Sequence, residues 1–349
     1  MMDLPELELS LGPDGTPQRP LVVLPLEPWR AAGVGQAARA AAVLAQALPV
    51  TVGLLSGAPT ASLRPLLDAV TLTLCPADAL DEAAWRTVVG VADVAGAATR
   101  LQAAAGRAPR AAVACGQLLR QTAVLPSGAG LAAEAATYST LLGGPEFARW
   151  LAGRGEPRHQ SAAAGPLVQI SRDGARLSVR LDDPGRRNAL SSQLREDLLA
   201  ALDVAEADES ISEVELTGAG LAFCSGGDLD EFGRATDLAA AYLVRLARAP
   251  WRVLDRISGR VTARVHGACI GAGTELAAFS GRVVAAPDAF FALPEVSMGL
   301  VPGAGGSVSV PRRIGRWRAG WLMLTGERLL ARDAVRWGLA DELARPAGG

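Results

Sequence analysis

The chain has 349 residues, more than one hydrophobic core usually organises and enough for two. Half of it is hydrophobic with few aromatics, the apolar share being carried by Ala, Leu and Val, a composition that suits a helix-rich α/β protein and excludes disorder across the body. The formal charge of -2, with basic residues that are all arginine and interspersed with acids, excludes the concentrated basic face that a nucleic-acid partner needs.

Residues 1–18 are polar, carry Gly12, Pro13, Gly15 and Pro17, and read as a flexible tail. They hold no basic stretch followed by an apolar one, so no secretory signal is expected. Residues 21–26 form a short apolar run, 35–48 an Ala-rich helical pattern, and 50–55 and 70–74 runs of strand length. The glycines at 33 and 35 resemble a dinucleotide fingerprint, but Pro25 and Pro28 crowd the approach and no acid follows a strand about 20 residues on. The most apolar stretch, 40–55, is broken by Gln46 and Pro49 and falls short of a membrane span, so a cytoplasmic protein without membrane contact is expected. From 81 to 154 the pattern is helical almost throughout, with stops near 106–109 and 127–130. Breaker-rich residues 153–166 then mark a boundary, dividing a helix-rich α/β domain at 19–160 from a second domain at 166–349.

The second domain opens with strands at 167–171 and 175–181, joined at Asp173-Gly174, a dipeptide that tolerates the positive φ of a tight turn. An amphipathic helix at 191–205 and a strand at 212–217 follow, and strand and helix alternate to the end, as in α/β folds with crossover connections. Cys75, Cys115, Cys224 and Cys269 are far apart with no CxxC pair, so buried thiols are expected rather than a disulfide framework or a metal site. Without lysine, contacts to an anion must come from arginine, a helix N-terminus or backbone amides.

Three segments carry chemistry. Residues 221–229 (Leu-Ala-Phe-Cys-Ser-Gly-Gly-Asp-Leu) place small residues after a strand, where a backbone can run close to a ligand; an ordinary glycine turn fits equally. Residues 265–276 form a glycine-rich turn feeding a helix, whose unpaired first amides suit a developing oxyanion. Residues 291–306 are again glycine-rich and carry Glu295. Taken singly, Glu275 is also what a helix dipole favours in a first turn, and Glu295 could be a surface residue after Pro294.

In this order and spacing, with Arg187-Asn188-Ala189-Leu190 before them and Leu324-Thr325-Gly326-Glu327 and Trp337-Gly338-Leu339-Ala340 after, these segments resemble the crotonase, or enoyl-CoA hydratase/isomerase, superfamily over about residues 167–343. The resemblance implies a spiral of ββα units and an acyl-CoA substrate held without metal or organic cofactor. It implies an oxyanion hole from the amides of Ser225 and Ala272, and Glu275 and Glu295 as the base and acid of a hydratase acting on a 2-enoyl-CoA. Gly226, Gly227, Asp228, Gly271 and Gly303 would approach the thioester and its CoA. Leu229, Phe232 and Leu293 would line the acyl pocket, core packing being equally open for Phe232. Arg186 or Arg187 would face phosphate, a solvated charge being as open for either; His266 reads as structural, and His159 as solvated.

Other reactions of the superfamily remain open: isomerisation, thioester hydrolysis, decarboxylation, or cofactor-free oxygenation of an aryl-acetyl-CoA, as does a non-catalytic acyl-CoA-binding subunit. Family members usually continue past position 343 in helices that cover the pocket and pack a trimer or hexamer. A homo-oligomer is therefore expected, with the helical pattern at 131–151 supplying the missing cover or the subunit interface.

Overall fold

The computed structural model describes residues 4–155 and 165–344. Its first sheet contains β1 (Leu21–Pro25), β2 (Val50–Leu54), β3 (Leu72–Pro76) and β4 (Val88–Val91), parallel and in sequence order. Helices α1 (Val34–Ala45) and α2 (Arg64–Ala69) connect the first three strands. They close a small core around Leu44, Leu63, Leu66 and Leu67.

β4 corrects the sequence reading, which ran helix from 81. Val88 and Val89 are both buried, as in a strand covered on two faces, but a four-residue run among alanines gives no period to read. Four helices follow: α3 (Val94–Arg107), α4 (Pro109–Thr122), α5 (Ser127–Leu142) and α6 (Pro145–Arg154). The first break falls at Ala108, where Pro109 opens α4 at its first position, which lacks a backbone partner anyway. The stop expected near 127–130 is instead the start of α5. The boundary at 153–166 and His159 lie largely or wholly outside the described residues.

The second half begins with the hairpin β5 (Val168–Asp173) and β6 (Arg176–Leu181), turned at Gly174 with φ +57°. Next come α7 (Ser192–Ala207), β7 (Glu213–Gly218), β8 (Ala222–Cys224), α8 (Leu238–Ala247) and α9 (Pro250–Ile257). Then β9 (Val261–Val265), β10 (Ala268–Ile270), α10 (Ala272–Phe279), β11 (Arg282–Ala285), β12 (Phe290–Ala292) and α11 (Gly306–Thr325) follow. β13 (Leu329–Leu330), α12 (Ala331–Trp337) and β14 (Glu342–Leu343) complete the chain.

One sheet runs β14-β11-β9-β7-β6-β5 and the other β13-β12-β10-β8. Each of β7, β9 and β11 is thus followed by a strand of the other sheet and then by helix. The expected spiral of ββα units is the fold.

The main core does not respect the division of the chain. Leu101, Leu118, Leu131, Tyr138 and Phe147 from the first half share it with Leu276, Phe279, Val308 and Leu322 from the second. Each fully buried leucine contributes about 1.5–3 kcal/mol relative to exposure. α11 is the meeting point, packing against α3, α4, α5 and α10.

Candidate active site

The site is built where two bends touch. Asn188, fully buried with φ +55°, donates from Nδ2 to the carbonyls of Ala219, Ala222 and Phe223 and accepts from the Asp183 amide. This one side chain pins the turn leading into β8 and so sets the path of residues 224–228. Leu190 forms a parallel bridge with Gly227: its amide donates to Gly226 O (2.7 Å), and its carbonyl accepts from the Asp228 amide (3.1 Å). In such a bridge the flanking residues carry the hydrogen bonds, so the N–H of Gly227 points away from Leu190.

Opposite this bend, Gly271 (φ +50°, ψ -120°) turns the chain from β10 into α10, placing Ala272 at the first helical position, where an amide has no intrahelical acceptor. A β-carbon on Gly273 would lie 2.5 Å from Cys224 O, and one on Gly271 would lie 3.6 Å from Gly226 Cα. The glycines there let two backbones meet. Gly227 and Ala272 line one cavity of about 690 Å³, together with Tyr138, Arg195, Asp228, Phe232, Arg234, Arg245, Glu275, Glu295, Gly303 and Ala304.

Two carboxylates face this cavity from different elements. Glu275, in the first turn of α10, is 2% exposed, and its Oε2 accepts the amides of Ala304 and Gly306, both at 2.7 Å. Burial pushes its carboxyl up to about 7, against the pull of those amides and of Arg245. Glu295 follows Pro294 at the end of the β12 connection. Its Oε2 is sealed from solvent without a hydrogen-bond partner, while its Oε1 lies over Gly271, 2.5 Å from where a β-carbon would sit. Burial raises the Glu295 carboxyl well above the usual range, and Glu275 and Glu134 add to the rise.

The first half of the chain completes the walls. Tyr138 of α5 packs on Gly303, and the Arg245 guanidinium lies 3.7 Å from the Tyr138 ring centre while donating to Gly303 O. Phe147 and Trp150 of α6 back the Phe232 ring at centroid distances of 6.3 and 5.9 Å. Arg154 pairs with Asp230 at 2.6 Å. Of residues 131–151, Tyr138 and Leu142 line the cavity, and Phe147 and Trp150 stand behind Phe232.

Several expected positions fall elsewhere. The amide of Ser225 donates to Arg187 O at 3.0 Å, and Ser225 is not among the lining residues. Its amide is therefore engaged away from the cavity, whereas Gly227, two residues on, lines it. Leu293 is fully buried in the main core, and Leu229 is exposed outside the cavity wall. Phe232 does line the cavity. Gly226 and Gly271 support the bends from behind. Arg186 is paired with Asp228 at 2.8 Å and Arg187 is exposed; neither lines the cavity, whereas Arg195 and Arg234 do. A ring nitrogen of His266 bonds Gly220 O, a structural contact.

All four cysteines are buried and unpaired. Among the described residues no group of three His, Cys, Asp or Glu side chains is arranged to hold a metal, and no helix is long and apolar enough to cross a membrane.

A model of the enoyl-CoA hydratase/isomerase family matches residues 173–346. The chain is 37% identical over 174 residues to 2,3-dehydroadipyl-CoA hydratase of Escherichia coli, covering 50% of this chain and 68% of that one. It is 34% identical over 165 residues to mitochondrial enoyl-CoA hydratase of Pongo abelii, covering 47% and 56%. Among solved structures, enoyl-CoA hydratase from Thermoplasma volcanium matches at 33% identity with a TM-score of 0.47, over 52% of this chain and 72% of that one. The chain thus spans only part of each relative, and residues before 173 lie outside the family match.

Proposed function

The chain belongs to the enoyl-CoA hydratase/isomerase family, and on that premise we propose that it adds water to, or removes it from, a 2-enoyl thioester of coenzyme A. The observation that carries this reading is the pair Glu275 and Glu295, two carboxyl groups raised by burial that line one cavity together with Ala272. The thioester oxygen would accept hydrogen bonds from the amides of Gly227 and Ala272. Fixed donors at that oxygen lower the barrier to enolate formation by about 3 to 4 kcal/mol each.

In hydration Glu275, ionised, takes a proton from water as the water oxygen bonds to the β-carbon. The electron pair of the double bond moves onto the thioester oxygen, and Glu295, protonated, delivers its proton to the α-carbon as the enolate collapses. One proton then returns from Glu275 to Glu295 through solvent. Two carboxyls in one cavity suit these opposite tasks, since the one with hydrogen bonds from amides ionises first.

Of the three arginines on the wall, Arg195 and Arg234 would meet the CoA phosphates, Arg245 being engaged with Tyr138 and Gly303. The segment at 19–160 would serve as the cover of the site rather than as an independent catalytic unit. A homo-oligomer, trimer or hexamer, is the assembly that membership implies, and its mass in solution tests it. The reading itself is tested by mixing the protein with crotonyl-CoA: hydration removes the absorbance of the conjugated enoyl thioester, and persistence of that absorbance would refute it.

A further inference from the structure

A third buried carboxylate stands beside the two just described, and it comes from outside the family match. Glu134 of α5 is 2% exposed. Its Oε1 accepts the Gly305 amide at 2.6 Å, and its Oε2 accepts the Ser307 amide at 2.8 Å and the Ser307 hydroxyl at 2.6 Å. Glu275 holds the amides of Ala304 and Gly306 in the same stretch. Four consecutive N–H groups, 304 to 307, are therefore divided alternately between two carboxylates, one from each half of the chain.

We propose that Glu134 is a positioning residue for Glu275: by clamping the turn at Gly305 and Ser307 it fixes the Ala304 and Gly306 amides that hold Glu275 Oε2. This rests on the hydratase reading above.

The stretch has little intrinsic shape of its own. Gly305 sits at φ +94°, and a β-carbon on Gly306 would lie 2.6 Å from Glu275 Cγ, so the turn is made of residues with the least intrinsic preference for any conformation. Its amides open α11 and have no intrahelical acceptors, so removing Glu134 leaves buried donors unpaired and lets the turn relax toward other acceptors. Glu275 would then lose the fixed amides that set its orientation toward the cavity. A helix N-terminus needs only a neutral cap, and Ser, Thr or Asn would serve. A buried carboxylate next to another one is costly as a mere cap: burial and the neighbouring Glu275 push Glu134 upward, and the donors from Ser307 and Gly305 pull against that rise. What the carboxylate offers is two acceptor oxygens reaching non-adjacent amides at once.

The test uses the full chain. In Glu134→Gln the amide nitrogen cannot accept, so one side of the clamp opens. Turnover of crotonyl-CoA should fall about 100-fold, the loss expected when a reacting group is misplaced by about 1 Å, with KM within about twofold of the parent. Hydrogen exchange over residues 303–307, read by mass spectrometry, should rise. That second readout judges the clamp whatever the parent does with crotonyl-CoA, whereas an inactive parent overturns the hydratase reading. Should Glu134→Gln not fold, Ser307→Ala removes a single donor to Glu134 and should lower kcat about 5- to 10-fold at unchanged KM, as for loss of one hydrogen bond of about 1 kcal/mol. Parental kcat or parental exchange in the folded variant, or a rise in KM without a fall in kcat, overturns the proposal.

Discussion

The Tyr138 ring occupies the space that a β-carbon on Gly303 would need: two of its ring carbons lie 2.5 Å from that position. Gly299 stands in the same relation to the start of α6, where the Phe147 amide nitrogen is 2.6 Å away. The third glycine-rich segment is thus small because helices of the first half press against it. Gly303→Ala should destabilise the protein by about 1–3 kcal/mol, the usual cost of overpacking, read as a lower midpoint in urea. An unchanged midpoint would mean that α5 moves freely over the site.

The two carboxylates give the sharpest functional contrast. Glu275→Gln and Glu295→Gln should each lower kcat by about 100- to 10,000-fold, the range for loss of a general base or acid, while CoA binding is retained. A variant with parental turnover would remove that residue from the mechanism.

The pH dependence follows from the same pair. The base must be ionised, and Glu275 is raised to about 7, so kcat/KM should climb as pH rises through about 7. The acid must keep its proton, and Glu295 is raised well above the ordinary carboxylate range, so activity should fall only at higher pH. A pH–rate profile that is flat from 5 to 8 would contradict this assignment.

Stability should run the other way. Glu134 and Glu275 have folded pKa values of about 8 and about 7 against an ordinary 4.5, so between those limits the folded chain binds more protons than the unfolded one. Their contribution is greatest below about pH 4.5 and is lost as pH rises through about 8. Glu27, held down to about 2 by Arg30, acts in the opposite sense, its contribution being lost only as pH falls below 4.5 toward 2. The melting temperature should therefore decline from pH 5.5 to 8; a rise across that window would mean that the buried carboxyls are not titrating as described.

Much of the second half was legible because its signals are local. The hairpin at Asp173-Gly174, the glycines around Ala272 and the two glutamates each announce themselves within a few residues. Ser225 and Gly227 are not distinguishable in the sequence, because the direction of an amide depends on the bridge to Leu190, over 30 residues upstream. Glu134 gave no signal at all: it is a single acid in an Ala-rich helix, and the turn it holds lies 171 residues further on. β4 escapes for want of length, and the packing of α5 and α6 against the second half is legible only as an apolar pattern without a partner.

Ala272 offers the most direct test of the central claim, that main-chain amides from the two touching bends receive the thioester oxygen. It stands at the first position of α10, where proline is tolerated and only the N–H is lost, and Gly271 before it adopts the mirror image of an extended conformation. Ala272→Pro should lower kcat for crotonyl-CoA about 100- to 1,000-fold, with helix content and CoA binding preserved. Parental turnover in a folded Ala272→Pro protein would contradict the account.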